Sequence, residues 1–522
     1  MAAPKFLLST LGSVLFFLLA VEAQIPSEFY SSIQNMELLL KSELAILDRL
    51  DKIIRLSEAR VSELKRQRDS LRRDLEGVDS LEYVSNPVSA FLMTKRLLKD
   101  YQDIDALIRK ELDVKLIDDT TIIPATVDLL GVAEGLSRLQ DLYLLEVEDM
   151  ADGYMYGYRL NRKLNAKECF EIALAMSQST VFENANKWFR EALRRWEAEE
   201  SPKVSKVEIL DYFTFSLFED AEYQEAYDRT IDLLRLDPKN EGALQKKETF
   251  AMWLKFVEEN GPMPKEPKLS HALYEPLCRG EVHRFADELS KLRCRLDTTT
   301  TPFLRLAPLK VEEVSLEPPI YLYHKVISDE EIDKLIELGK ARLNRATVGQ
   351  MVSQVRISQN VWLSEEVDPL LGVLQRRTYD MSRGLSMQGF DMVQVNNYGI
   401  GGHNIPHYDC DSEYPPFPQF NMGNRLATLM YYLSDVEVGG GTVFPRLSLG
   451  VFPIKGSAIF WHNVHHNGNV DERMLHAGCP TLIGSKWVAN IWIHEYHQEF
   501  VLPCKLYAEN LPEDIGREEE SN

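Results

Sequence analysis

The chain has 522 residues, enough for two to four domains. It carries 81 acidic residues against 59 basic ones, a formal net charge of −22. That balance argues against a nucleic-acid partner, whose phosphates call for a basic stripe, and fits a chain kept soluble by its own charge.

Residues 1–23 read as a secretory signal peptide. Lys5 supplies the positive start, Phe6 to Ala20 an apolar core, and Ala23 the small residue before Gln24 that signal peptidase prefers. The apolar run falls short of the roughly 20 residues a membrane span needs. No second candidate follows, so the expectation is a protein of the secretory pathway with no membrane span. No Asn-x-Ser/Thr sequon occurs, so N-glycosylation is not expected. The end, Glu518-Glu519-Glu520-Ser521-Asn522, is not a KDEL-type signal.

Residues 24–155 are expected to form a helical domain. Residues 31–76 read as one long helix with a heptad seam. Its a positions are Ile33, Leu40, Leu47, Ile54, Val61, Arg68 and Leu75; its d positions are Met36, Glu43, Leu50, Ser57, Leu64 and Leu71. Ten of these thirteen are apolar, enough either for pairing with a second helix or for packing within the chain. Gly77 and the Ser85-Asn86-Pro87 turn end this stretch. Further on, Leu136, Leu139 and Tyr143 share one helical face.

Residues 160–260 look like helical pairs of the tetratricopeptide type. Phe182-x-x-Ala185-x-x-x-Phe189-x-x-Ala192 is echoed by Tyr223-x-x-Ala226, forty-one residues on. The standard repeat is about 34 residues, so one connection should be extended. Tyr212, Phe215 and Phe218 fall on one helix face, where aromatic rings serve either as core or as a groove for polyproline II chains. Residues 261–318 read as a linker region, polar and Pro-bearing over 296–318. Pro319-Ile320-Tyr321-Leu322-Tyr323 opens a domain expected to span 319–510, with a helix from Asp329 to Leu343, before an acidic tail over 511–522.

The chemistry is concentrated in 319–510. His407-Tyr408-Asp409 is followed by His476, then by Lys486. Residues i and i+2 of a strand share a face, so His407 and Asp409 can reach one metal while Tyr408 points away. A third ligand from a distant strand is what a β-barrel or jelly roll supplies. Two imidazoles and a carboxylate form the facial triad that holds Fe(II) and leaves positions open for cosubstrate and oxygen. Lys486, opening the strand-like run to Ile493, adds a cation for an acidic cosubstrate. Eight of the 11 histidines lie beyond residue 400; His403, His462, His465, His466, His494 and His497 are read as non-ligands. Gly439-Gly440-Gly441 reads as a turn, with Thr442 leading the next strand.

Several local stretches carry a resemblance. Gln394-Val395-Asn396-Asn397-Tyr398-Gly399 through Pro406-His407-Tyr408-Asp409 is similar to the catalytic domain of collagen prolyl 4-hydroxylase α subunits. So are Gly423-Asn424-Arg425-Leu426-Ala427-Thr428, Gly439 to Pro445, His476-Ala477-Gly478-Cys479-Pro480 and Gly484-Ser485-Lys486-Trp487-Val488. The resemblance implies an architecture of all-α N-terminal and tetratricopeptide-like helical domains followed by a C-terminal double-stranded β-helix (jelly-roll) oxygenase domain. It implies that His407, Asp409 and His476 bind Fe(II) and that Lys486 pairs with the C5 carboxylate of 2-oxoglutarate. Tyr398 and Thr428 become cosubstrate-pocket residues, and Arg356 a site candidate near the substrate mouth. Tyr212, Phe215 and Phe218 become peptide-binding residues, although two of the three are Phe, so any hydroxyl hydrogen bond there is lost. The implied reaction is C4 hydroxylation of proline in X-Pro-Gly sequences of procollagen, coupled to conversion of 2-oxoglutarate and O2 to succinate and CO2, with L-ascorbate as an aid.

The resemblance further implies an α2β2 tetramer with protein disulfide isomerase as β subunit, α–α pairing through the long helix, and retention in the endoplasmic reticulum lumen by the β subunit. Six cysteines in an oxidising compartment suggest Cys278–Cys294 and Cys479–Cys504 disulfides, as similar pairs occur in the family. Cys169 reads as a buried thiol, and a Cys169–Cys410 pairing stays open. A hydroxylase of lysine or of a non-collagen secretory peptide, and a non-catalytic collagen-binding subunit, are the rival functions; the intact triad and Lys486 weigh against the second.

Overall fold

The computed structural model describes residues 28–56, 65–66, 68–69, 72, 75–112, 116–117, 119–159, 163–261, 273–348, 351–352, 355–411 and 422–503. The signal-peptide residues, Cys504 and the acidic tail lie outside them.

The heptad pattern produces the first long helix, Ile33–Leu56, but its seam is spent inside the chain. Ile33, Met36, Leu40, Leu47 and Leu50 are buried in one cluster with Val84, Phe91 and Leu97. Glu43, at a d position, is fully buried and pairs with Arg96 Nε at 2.5 Å and Tyr101 at 3.1 Å. A buried charge needs such partners, and they come from this chain's own helices. Over 33–54 the seam positions are therefore buried against the chain's own helices. Nor is 31–76 one helix. Arg72 pairs with Asp51 at 2.7 Å, whereas a straight helix would hold them about 30 Å apart. Val61, Leu64 and Leu71 lie outside the described residues. The face Leu136, Leu139, Tyr143 lies on the helix Thr126–Tyr143 and is buried, as its spacing predicts.

Five helices follow: Ala166–Gln178, Phe182–Ala198, Lys206–Glu219, Tyr223–Leu236 and Glu241–Asn260. Ser205 and Asn240 cap two of them by accepting from backbone N–H groups of the first turn. The extended connection is 199–205, between the second and third helices. Trp188, Phe189 and Phe213 fill the core of this array.

The β-domain holds a nine-stranded antiparallel sheet packed on a four-stranded one. The larger sheet runs Cys294–Asp297, Leu309–Leu316, Pro319–His324, Ala458–His462, Arg425–Tyr432, Trp487–His494, Val393–Asn397, Gln359–Leu363, Asn344–Arg345. The smaller runs Asn404–His407, His476–Gly478, Thr442–Phe444, Leu449–Val451. Strand alternation divides two cores. In Arg425–Tyr432, Ala427, Leu429 and Tyr431 pack with Leu335, Leu371 and Leu374 of the covering helices Asp329–Lys340 and Pro369–Met381. Met430 and Tyr432 face the other way and pack with Phe444, Leu449 and Val451 of the smaller sheet. Gly439 and Gly440 turn the chain at φ 85° and 67°, and Thr442 opens the next strand.

Two expectations are corrected here. Part of the region read as linker belongs to the β-domain: Cys294–Asp297 is the edge strand at one end of the larger sheet, and Leu309–Leu316 pairs between it and Pro319–His324. Only Val311, Val314 and Ser315 of Leu309–Leu316 are buried, so Leu309-Lys310-Val311-Glu312-Glu313 passes for a polar connection. The disulfide is Cys278–Cys479, with Cα atoms 5.5 Å apart, within the usual range. Both cysteines share a buried cluster with Leu277, Val443 and Ala477. Cys294 is instead exposed on the edge strand, and its thiol is free. Cys169 is a buried free thiol and Cys410 a partly buried one, so they do not pair.

Candidate iron and cosubstrate site

Asn404–His407 and His476–Gly478 are antiparallel neighbours, and their register sets His407 directly opposite His476. The ring centroids are 4.4 Å apart. The first strand ends at His407, so Asp409 reaches the same point from two residues beyond it. Its oxygens lie 3.4 Å from His407 Nε2 and 3.5 Å from His476 Nε2. Among the described residues this is the one group of three or more His, Cys, Asp or Glu side chains whose ligand atoms lie within 4.8 Å of one another. Tyr408 points away and donates to the Glu472 carbonyl.

The imidazoles are oriented by one repeated device. His407 Nδ1 lies 2.7 Å from the Ile405 carbonyl, and His476 Nδ1 lies 2.9 Å from that of Met474. A carbonyl only accepts, so each Nδ1 carries the proton and each Nε2 keeps its lone pair for a metal. Burial, then repulsion from His476, lowers the pKa of His407, which keeps the ring neutral. Burial pushes Asp409 upwards, but the two imidazoles outweigh it and hold the carboxyl well below its ordinary range. Thr428 donates to Asp409 Oδ2 at 2.8 Å and accepts from Asn463 Nδ2 at 3.0 Å. Thr428, expected in the cosubstrate pocket, thus lines the cavity and also orients an iron ligand.

Lys486 lies in the same cavity, of about 870 Å³, with Tyr398, Thr428 and Arg356. Its side chain is fully buried, and the ammonium sits 5.1 Å over the Tyr398 ring. Burial alone pushes its pKa down to about 7, and no acidic side chain among the described residues pairs with it. A buried cation in that condition favours an anionic ligand. Arg356 is held at the wall by Gln394 at 2.8 Å and Asn396 at 2.6 Å. Asn463 and Trp461, whose ring packs 4.9 Å from His476, belong to the site but escape sequence reading. Neither has a diagnostic spacing; only the alternation of the Ala458–His462 strand pointed Trp461 inward.

Tyr212, Phe215 and Phe218 lie outside this cavity, on the helical array. Tyr212 and Phe215 are 42% and 45% exposed, while Phe213, Ile209 and Leu217 turn to the core. Phe218 is half-buried, stacked on Phe250 at 4.7 Å, and Trp253 stacks on Tyr223 beside it.

Two neutral imidazoles and an ionised carboxylate converging on one point suit Fe(II), and the donor set leaves other positions open. Comparison with known proteins agrees over most of the chain. Residues 32–157 match the prolyl 4-hydroxylase alpha-subunit N-terminal region, 166–255 the prolyl 4-hydroxylase peptide-substrate-binding domain, and 393–494 the 2OG-Fe(II) oxygenase superfamily. Prolyl 4-hydroxylase subunit alpha-2 of Caenorhabditis elegans is 33% identical, covering 94% of this chain and 96% of the relative. The alpha-2 subunit of Gallus gallus is 34% identical over 92% and 95%, and the alpha-1 subunit of Homo sapiens 33% over 92% and 96%. The chain belongs to the prolyl 4-hydroxylase α-subunit family.

This prolyl 4-hydroxylase α subunit is an Fe(II)- and 2-oxoglutarate-dependent proline hydroxylase. The chemistry that iron and 2-oxoglutarate supply when bound is O2-dependent hydroxylation coupled to decarboxylation of the cosubstrate to succinate. The protein's part is to place groups. His407, Asp409 and His476 would hold the metal, with their lone pairs already aimed. Lys486 would neutralise the distal carboxylate of the cosubstrate where water cannot, its ammonium already placed over the Tyr398 ring. The apolar layer of Met430, Phe444 and Trp461 behind the ligands keeps solvent from that side.

A pH dependence follows from Lys486. Its pKa in the free site is about 7, and a bound carboxylate raises it. Affinity for 2-oxoglutarate is therefore expected to be level below pH 7 and to fall as pH rises above it, because binding there must take up a proton. Calorimetric titration in buffers of different ionisation enthalpy checks this. Proton uptake on binding at pH 8, absent at pH 6, is the expected result.

Proposed function

We propose that this α subunit hydroxylates C4 of proline in X-Pro-Gly sequences of collagen-like polypeptides, in the lumen of the endoplasmic reticulum. What supports this substrate class is the row of aromatic rings on the helical array. Tyr212 and Phe215 are exposed, beside the Phe218–Phe250 and Tyr223–Trp253 stacks. Exposed rings on a rigid helical face suit a polyproline II chain, which presents flat prolyl rings and has little entropy left to lose. The luminal location rests on the signal-like residues 1–23. Retention there is assigned to protein disulfide isomerase as β subunit of an α2β2 tetramer. The α–α contact in that proposal uses surface other than the 33–54 seam. L-ascorbate is assigned the role of keeping the iron reduced.

The test is to incubate the purified complex with Fe(II), 2-oxoglutarate, ascorbate and a Pro-Pro-Gly repeat peptide. Succinate is measured, and the new hydroxyl is located by mass spectrometry. Hydroxylation at C4 of the proline preceding glycine is expected. Succinate formation only with a lysine-containing repeat would overturn the substrate assignment.

The aromatic row gives a separate expectation. Phe215→Ala should weaken binding of long proline-rich peptides by about 1–3 kcal/mol, as for an aromatic anchor. Because Phe215 is nearly half exposed, its loss should cost far less stability than the roughly 3–5 kcal/mol of a core phenylalanine. Peptide titration beside thermal unfolding decides. An unchanged peptide affinity with a large melting loss would return Phe215 to the core.

A further inference from the structure

The strands Val393–Asn397 and Asn404–His407 are joined by residues 398–403, and both ends of this connection serve the site. At one end, Asn397 Nδ2 donates to the Lys486 carbonyl at 3.2 Å and to Ser485 Oγ at 3.1 Å. Tyr398 N donates to the same Lys486 carbonyl at 3.1 Å. At the other end stands His407.

The connection itself is gripped by the N-terminal helical domain. Ser32 Oγ donates to Asn397 Oδ1 at 2.5 Å, and the backbone N–H of Gln34 donates to the same oxygen at 3.1 Å. Ile400 N donates to the Tyr30 carbonyl at 3.1 Å, and Arg138 Nε donates to the Gly401 carbonyl at 3.0 Å. The approach is backbone on backbone. A Cβ on Gly399 would lie 1.9 Å from the Tyr30 carbonyl oxygen, and one on Gly401 would lie 2.5 Å from that of Gly135. Ser32, Asn397 and Lys486 are all fully buried.

We infer that the cosubstrate site is shared between two domains: Ser32 and Asn397 are positioning residues that hold Lys486 in place. The Asn397 carboxamide is fully used, with two donors arriving at Oδ1 from the N-terminal domain and two bonds leaving Nδ2 towards 485–486. Remove the arriving donors and the oxygen is left unmatched in a site closed to water, so the amide gains reason to turn. The Lys486 backbone then loses one of its two anchors. Docking of the N-terminal domain is thereby coupled to 2-oxoglutarate affinity, although neither Ser32 nor Asn397 lines the cavity.

The inference rests on Lys486 as the partner of 2-oxoglutarate. The test uses the full-length protein with Mn(II) in the metal site, without oxygen, and reads 2-oxoglutarate binding by calorimetry. Ser32→Ala, Asn397→Ala and Lys486→Ala are compared, with Mn(II) affinity and melting temperature followed beside them. Asn397→Ala is expected to raise the 2-oxoglutarate dissociation constant by about 5–10-fold and Ser32→Ala by about 2–5-fold, one or two neutral hydrogen bonds' worth. Mn(II) affinity should hold, and in turnover KM should carry the effect rather than kcat. Unchanged 2-oxoglutarate affinity in both variants overturns the inference, and so does an equal loss of Mn(II) affinity, which would mark general loosening. If Asn397→Ala does not fold, Ser32→Ala decides alone, since it removes one hydroxyl and leaves the Gln34 bond. An unchanged dissociation constant in Lys486→Ala would instead fail the assignment of Lys486 itself.

Discussion

Asp409→Ala is expected to abolish proline hydroxylation, by more than about 100-fold, a larger loss than changes to groups that merely support metal ligands. His407→Ala and His476→Ala should do the same. The three side chains contribute the converging donor atoms, and each imidazole already has its Nδ1 proton committed to a carbonyl. Losing one ligand leaves the strands intact. Thr428 keeps its bond with Asn463 when the Asp409 carboxylate is gone, so the variant should fold and assemble. Bound iron and hydroxyproline formation are measured on the same preparation. Full activity with normal iron content in any of the three would overturn the assignment.

Lys486→Ala is expected to raise the 2-oxoglutarate requirement about 30-fold or more, from a loss of roughly 2 kcal/mol of charge pairing. Lys486→Arg should be intermediate: the charge survives, but a planar guanidinium must fit where a compact ammonium sits over Tyr398. Stability should move the other way from an ordinary broken ion pair. Truncating one member of a buried pair strands its partner, but Lys486 has no acidic partner among the described residues and is already desolvated. The alanine variant is therefore expected to melt no lower than the parent while its KM for 2-oxoglutarate rises. A lowered melting temperature with unchanged KM would make Lys486 a structural residue.

The catalytic chemistry was legible in the chain because its residue types are few and ordered. His407-x-Asp409, a distant His476 and Lys486 opening a β-branched run announce a metal and an acid without any coordinates. The helical array was legible for a similar reason, since Phe182, Ala185, Phe189 and Ala192 repeat at helical spacing and a second copy echoes them. The heptad seam was visible too, but not its partner. Apolar residues at a and d positions say that a face will be buried, and the same pattern serves a second subunit or the chain's own helices. Glu43 was the one hint, as a charge at a d position needs the local partner that Arg96 supplies.

What the sequence by itself determined is the set of chemical groups and the periodicity of each element: which side chains can bind a metal, which cation stands near them, which faces must be buried. Tertiary structure alone decided what meets what. Cys278 joins Cys479 across 201 residues because two remote segments share one buried cluster, and spacing along a chain carries no record of that. Leu309–Leu316 became a strand because Cys294–Asp297 on one side and Pro319–His324 on the other supplied its hydrogen bonds. Ser32 reached Asn397 because the N-terminal domain docks on the connection behind Lys486. Local pattern reflects short-range sterics and solvent preference; long-range contacts depend on the closure of the whole chain, which no local window contains.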